Sequence, residues 1–255
     1  MLERYCVFGS HGFLGGRLLE HLQSSGREVI RGNRSGIVPD GVDCVVNCQS
    51  YGNYYWQEGI EEIYKANLFS LLKMLTTASG VRAFVYISSS SVLLPQQTFY
   101  SLAKQAGELA CLEWGGPVKI VRPSSITGPG EQKEHLITKL IDSCLNGTEM
   151  PLVKSPSHDY VHVLDVVSAI SLLSRVSGDG RKFFNVSSGV TVTNEEVLMI
   201  VQEVTGKVAN LKVVESLRPY DTSSWIVDNS DIRSLDWKPA YSLKDSIQEM
   251  VDNYP

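Results

Sequence analysis

The feature that most constrains this 255-residue chain is a short apolar run, Tyr5-Cys6-Val7-Phe8, that passes into Gly9-Ser10-His11-Gly12-Phe13-Leu14-Gly15. An apolar run without polar alternation predicts a strand buried on both faces, as in a parallel sheet. From Leu14 to Leu22 apolar residues recur at helical spacing, and Gly26 ends that helix. A glycine loop between strand and helix has three physical tasks. Gly9 permits the tight turn, Gly12 lets the backbone approach a pyrophosphate, and Gly15 lets helix and strand pack closely. The helix N-terminus adds free N–H groups and positive dipole for the phosphates. His11, Phe13 and Leu14 bring backbone to the same loop, with the His11 side chain turned outward. Dinucleotide binding by these seven positions is the expectation.

The alternation continues along the chain. Residues 28–30, 43–48, 81–88 and 118–121 read as strands, and 63–78 and 100–114 as helices. This predicts an α/β fold, a Rossmann-type doubly wound parallel sheet with its site at the carboxyl ends of the strands. After Gly130 the pattern loosens. Residues 134–145 read as a helix, 160–163 as a strand-like turn into a helix over 164–173, and 183–186 as a strand. Asn194 is expected to cap a helix running to Val204. Residues 1–155 are therefore expected to be mainly the NAD(P)-binding domain, and 156–255 its final elements mixed with a small C-terminal substrate lobe.

Two further features point to chemistry. At the end of the second strand stand Arg31-Gly32-Asn33-Arg34, with no acidic residue. An acid there would grip a ribose 2′-hydroxyl, whereas arginine accommodates a 2′-phosphate, so Arg31 and Arg34 favour NADP(H) over NAD(H). The second feature is Tyr100-Ser101-Leu102-Ala103-Lys104, ten residues after Ser90 in a serine run that closes a strand. With 11 tyrosines and 12 lysines in the chain, a Tyr-x-x-x-Lys spacing has roughly half a chance occurrence, so its context carries the weight. Tyr100 and Lys104 lie one helical turn apart on the same face. A free tyrosine has a pKa of about 10 and is a poor base. A nearby ammonium is expected to lower that value, so that Tyr100 exchanges a proton with a substrate hydroxyl while Ser90 holds the substrate oxygen.

Bulk properties exclude other classes. A net charge of −5 gives no footprint for nucleic acid or an anionic membrane. No apolar run approaches the roughly 18 residues of a membrane span. The N-terminal Met1-Leu2-Glu3-Arg4 lacks a signal peptide's apolar region. Cys6, Cys44, Cys48, Cys111 and Cys144 show no paired CxxC spacing, which predicts reduced thiols, a cytoplasmic location and no metal.

Taken together, these segments resemble the short-chain dehydrogenase/reductase superfamily, and more closely its extended branch of NAD-dependent epimerases and dehydratases of nucleotide sugars. Ser90, Tyr100 and Lys104 match the catalytic Ser, Tyr and Lys. Asn67 matches a supporting asparagine. Arg122-Pro123 and Gly128-Pro129-Gly130 match RPxxxYGPG, with Thr127 in place of its tyrosine. His158-Asp159-Tyr160-Val161-His162-Val163-Leu164-Asp165 is similar to RDYVHVxD, with His158 in place of its arginine. Phe184-Asn185-Val186-Ser187-Ser188-Gly189 is similar to FNxGxG, and Leu235-Asp236-Trp237-Lys238-Pro239 to LGWKP. Arg218-Pro219-Tyr220-Asp221 resembles RPGD, whose arginine contacts a nucleotide pyrophosphate. The resemblance implies that Asn67, Arg122 and Pro123 line the cofactor, and that Ser91, His158 and Arg218 face the substrate. His135 carries no motif and reads as a surface residue.

Departures narrow the activity. Little room separates the second strand from Asp43, so a strand–helix unit is expected to be trimmed. No Asp-Glu pair follows Ser90, which argues against a 4,6-dehydratase. The expected function is a 4-ketoreductase on a nucleotide-activated sugar. A nucleotide-sugar 4-epimerase with tightly held NAD, a cofactor-sensing binder and a reductase of other carbonyls are alternatives. The resemblance also implies a homodimer through the helices carrying Leu68, Leu71, Leu72, Leu75, Leu102, Leu109 and Leu112, residues that core packing explains as easily.

Overall fold

The computed structural model describes residues 3–53, 57–176, 182–215 and 226–254. Along the chain run β1 (Arg4–Phe8), α1 (Phe13–Ser24), β2 (Glu28–Arg31), β3 (Cys44–Asn47), α2 (Ile60–Tyr64), α3 (Ser70–Thr77), β4 (Ala83–Ile87), α4 (Phe99–Trp114), β5 (Val118–Pro123) and β6 (Ser125–Thr127). There follow α5 (Leu136–Asn146), β7 (Met150–Leu152), β8 (Ser157–His162), α6 (Val163–Leu173), β9 (Phe183–Val186), β10 (Thr191–Thr193), α7 (Asn194–Thr205), β11 (Leu211–Val213), α8 (Ser230–Arg233) and α9 (Leu243–Asp252). The chain divides into two compact units.

The first unit comprises residues 1–123, 166–186 and 230–237. Its six-stranded sheet has the order β2-β1-β3-β4-β5-β9, with every pairing parallel. β3 and β4 are buried along their whole length, which is why they read as unbroken apolar runs. Leu14, Leu18, Leu19 and Leu22 form the buried face of α1, and burial of each stabilises the fold by about 1.5–3 kcal/mol. β2 is the sheet edge, and residues 32–43 reach β3 without a helix or a further strand. That is the trimmed unit expected from the sequence.

The helix expected over 63–78 starts earlier, at Ile60, and is interrupted by a π-helical turn, Lys65–Phe69, between α2 and α3. The unit's first segment ends at Pro123. Residues 166–186 return to it with β9, and residues 230–237 are tied on by a bond from Trp237 Nε1 to Ser168 Oγ (2.9 Å).

The second unit comprises 124–165, 187–229 and 238–255. β8 pairs parallel with β6 and antiparallel with β10, while β7 and β11 form a separate parallel pair. Ile137, Leu140, Ile141, Val197, Val201 and Ile247 of α5, α7 and α9 supply its core. The cap of α7 is Thr193, not the expected Asn194. Thr193 Oγ1 accepts from Glu196 N (3.1 Å) and Glu196 Oε2 accepts from Thr193 N (2.7 Å). A threonine with glutamate three residues on closes both ends of a capping box, which Asn194 could not. Asn194 instead donates to Val153 O (2.7 Å).

Candidate active site

The glycine loop is shaped by contacts that admit no side chain. Gly9 has φ +75°, and a Cβ there would sit 2.7 Å from the Cys48 carbonyl carbon. A Cβ on Gly15 would collide with the Gly9 carbonyl oxygen. Gly12 is the N-cap of α1 and supplies no side-chain partner for the first-turn N–H groups. Ser10 Oγ is buried beside them with no partner among the described residues. A close backbone cradle with unmatched polar groups fits a dinucleotide phosphate, with His11, Phe13 and Leu14 contributing the same stretch of backbone. The His11 side chain is exposed. Arg31 and Arg34 are also exposed, at the end of the edge strand β2.

Thr98 caps α4 and so fixes where its first turn begins. Tyr100, Lys104 and Glu108 then fall one turn apart along the helix. The Tyr100 hydroxyl accepts from Ser50 Oγ (3.5 Å) and is hydrogen-bonded to Ser89. Ser90, which the family resemblance pairs with Tyr100, lies next to the serine that bonds the hydroxyl. Ser90 is buried in the short 3-10 turn that follows β4, whereas Ser89, its extended N-cap, faces Tyr100. Ser91 Oγ bonds Ser89 Oγ (2.9 Å). Ser50, from the loop after β3, went unnoticed in the sequence because its partner lies 50 residues away.

Lys104 is buried, and its Nζ donates to Ile87 O (2.9 Å) and Gln49 O (3.1 Å). Burial pulls its pKa down to about 8, with Cys48, Glu108 and Cys111 acting in the opposite direction. Burial also raises Tyr100 above the ordinary phenol value, more than the hydrogen bonds from Ser50 and Ser89 lower it. The expected lowering of Tyr100 by Lys104 is therefore absent. The ammonium lies 5.8 Å from the Tyr100 ring centroid and is held by two carbonyls.

Asn67 sits in the π-helical turn, a common device at functional sites. Its Nδ2 donates to Tyr51 O (2.6 Å) and Ile63 O (2.8 Å), leaving Oδ1 buried without a partner. Gln49 Oε1 is likewise buried and unmatched. Arg122, for which the resemblance implies a place beside the cofactor, is bound by protein groups. Its Nε and Nη2 form a bidentate pair with Glu108 (2.8 and 2.6 Å), and its guanidinium lies 4.3 Å from the Phe183 ring centroid. Pro123 ends β5 beside it.

The second unit holds the other motif residues. Asp159 is buried and accepts from Ser124 Oγ, Ser188 N, Ser188 Oγ and Gly189 N at 2.8–3.1 Å. Asp165 accepts from Ala240 N and Tyr241 N, and burial raises its pKa. His162 stacks on Tyr241 at 4.0 Å and lies 3.3 Å from Glu249. His158 is half-buried on β8, 5.9 Å from the Tyr160 ring. Thr127 Oγ1 donates to Glu131 (2.7 Å), which also bonds His135 Nδ1 (2.7 Å), so His135 is a paired residue and not a bare surface one. Arg218, with residues 219–221, lies outside the described residues. Among the described residues, no group of three or more His, Cys, Asp or Glu is placed to hold a metal ion, and no helix is long and apolar enough to cross a membrane.

The sheet order, glycine cradle and Tyr–Lys turn define a Rossmann-type protein of the short-chain dehydrogenase/reductase kind. The chain belongs to the NAD dependent epimerase/dehydratase family, whose profile matches residues 5–187. It is 30% identical to GDP-L-fucose synthase 1 of Arabidopsis thaliana over 64% of this chain and 54% of that protein. The chain thus spans about half the length of the first curated relatives it matches. CDP-abequose synthase of Salmonella typhimurium is similar over 98% of this chain and 97% of its own, at 22% identity. The structure of MoeE5 in complex with UDP-glucuronic acid and NAD shares the fold, with a TM-score of 0.88 over 98% of both chains and 23% identity.

Proposed function

We propose that the protein is an NADP(H)-dependent 4-ketoreductase of a nucleotide-activated sugar. The observation that carries this reading is the Tyr100 hydroxyl set between Ser50 and Ser89, with Lys104 one turn behind it. A phenol held above its ordinary pKa stays protonated at neutral pH, which suits an acid that protonates a carbonyl oxygen during reduction. When bound, NADP(H) supplies the hydride. The glycine loop cradles its pyrophosphate, Asn67 and Lys104 border its site, and Arg31 and Arg34 pair with a 2′-phosphate. On this reading a serine of the 88–91 run holds the substrate oxygen, with Ser89 bonded to the Tyr100 hydroxyl and Ser91 bonded to Ser89, and roles for His158 and Arg218 in substrate binding rest on the family resemblance alone. GDP-L-fucose synthase and CDP-abequose synthase, named for nucleotide-sugar products, support that substrate class. Leu72, Leu102, Leu109 and Leu112 are exposed while Leu71 and Leu75 are buried, which supports the former group as the surface of the homodimer that the resemblance implies. Five free cysteines support a cytoplasmic location.

The deciding experiment follows NADPH absorbance with a panel of nucleotide-linked 4-keto sugars. Sugar-dependent loss of NADPH supports the ketoreductase. Interconversion of nucleotide sugars by protein carrying tightly held NAD, without net cofactor use, replaces it with a 4-epimerase. The absence of both results moves the protein to a non-sugar carbonyl substrate or a cofactor-sensing role.

A further inference from the structure

One buried acid in the first unit has no task in the proton transfer just described. Glu108 follows Lys104 by one turn of α4, and both side chains grip the same strand end. Lys104 Nζ donates to Ile87 O (2.9 Å), and the adjacent Ser88 Oγ donates to Glu108 Oε1 (2.5 Å). From β5, Arg122 holds both Glu108 oxygens at 2.8 and 2.6 Å and is itself stacked near Phe183. Glu108 has a side chain only 4% exposed, against 17% for Arg122. A carboxylate so placed costs desolvation, which the cation and the hydroxyl offset. Its field acts on Lys104 through a poorly screened interior.

We propose that Glu108 is the positioning residue of Lys104: it supplies the counter-charge for the Lys104 ammonium, and Arg122 and Ser88 hold its carboxylate in register. Arg122 on this account serves the site through Glu108 rather than by touching the cofactor. The groups facing Lys104 are Tyr100, Glu108 and Cys111 from α4, Tyr86 from β4 and Cys48 from the end of β3. Both cysteine thiols are pushed up to about 12 by burial, so they are neutral near pH 7. Tyr86 and Tyr100 are both raised, chiefly by burial, and are neutral phenols in the same range. Glu108 is therefore the charge that opposes the burial of Lys104. Removing it should lower the pH at which the ammonium is lost, even though the hydrogen bonds to Ile87 and Gln49 remain.

This inference takes its functional meaning from the reading of Tyr100 and Lys104 as a proton-moving pair, but its test needs neither cofactor nor substrate. Lysine enriched with carbon-13 at Cε is incorporated into the full chain, and the Lys104 signal, assigned with Lys104→Arg, is titrated by NMR. The expected midpoint is about 8. In Glu108→Gln it falls by roughly one pH unit, and Glu108→Asp, which keeps the charge, recovers part of the fall. Because Glu108→Gln strands the Arg122 cation, the double variant Glu108→Gln/Arg122→Met is measured as well, with a cooperative melt as the sign of an intact fold. A lowered midpoint in the double variant sustains the proposal without the stranded cation. An unchanged midpoint in either folded variant, or an equal fall in Glu108→Asp, overturns it. Failure of every nucleotide sugar to turn over would remove the proposed function and leave this titration standing.

Discussion

The first and second units both bury polar side chains, but they treat them differently. In the second unit Asp159 has four donors on its two oxygens, and Asp165 takes two backbone N–H groups. In the first unit Ser10 Oγ, Gln49 Oε1 and Asn67 Oδ1 are buried without partners, and Lys104 is held far from its ordinary pKa. Polar groups whose bonding is saturated stitch chain segments together. Unmatched ones leave capacity for a ligand, and Ser10 and Gln49 lie in and beside the glycine loop. Asn194 Oδ1 in the second unit is also unmatched, so a lone unmatched atom does not by itself mark a site. Within the RDYVHVxD-like stretch, Asp159 and Asp165 do structural work.

The contrast can be broken experimentally, and the largest effect belongs to the first unit. Tyr100→Phe should retain cofactor binding, read by fluorescence titration, while NADPH consumption falls about 10²–10⁴-fold. Unchanged turnover would remove Tyr100 from the chemistry. Next, Ser89→Ala should slow turnover roughly 10²-fold, the scale of a lost donor to a developing oxyanion, while Ser90→Ala stays close to the parent. The reverse ranking would restore Ser90 to the site.

In the second unit the effects should appear as stability. Asp159→Ala leaves the N–H groups of Ser188 and Gly189 without their acceptor and should cost about 3 kcal/mol in urea unfolding. Thr193→Ala removes one half of the α7 capping box and should cost about 1 kcal/mol. A loss of turnover by Asp159→Ala without any loss of stability would contradict its structural role.

The smallest effect is a slope. Lys104 has a folded pKa of about 8 against 10.5 for the ordinary side chain, so between those values the unfolded chain holds a proton that the folded chain has released. Stability from this group therefore rises with pH across that window, and below it the buried ammonium opposes folding. Urea midpoints compared near the two ends of the window should show a rise in the parent that Lys104→Met lacks.

Much of the first unit was legible without coordinates. β1, β3, β4 and β5 bury both faces and so announce themselves as apolar runs. The Tyr100–Lys104 spacing is helical geometry and needs no tertiary information. The serine run was different: the resemblance singled out Ser90, and the turn that begins there leaves Ser89 as the serine bonded to Tyr100. Arg122 matched a motif, but its partner Glu108 lies 14 residues earlier, and only the adjacency of α4 and β5 reveals the pair.

The sequence by itself determined the parallel α/β class, the glycine cradle and the helical turn bearing Tyr100 and Lys104. These follow from local periodicity and from backbone freedom that glycine alone has at Gly9. Only the tertiary structure decided that Ser89 and Ser50 flank the hydroxyl, that Arg122 pairs with Glu108, and that residues 166–186 and 230–237 return to the first unit. Each of those outcomes depends on which distant segments become neighbours, and burial and hydrogen-bond matching across the whole chain select them.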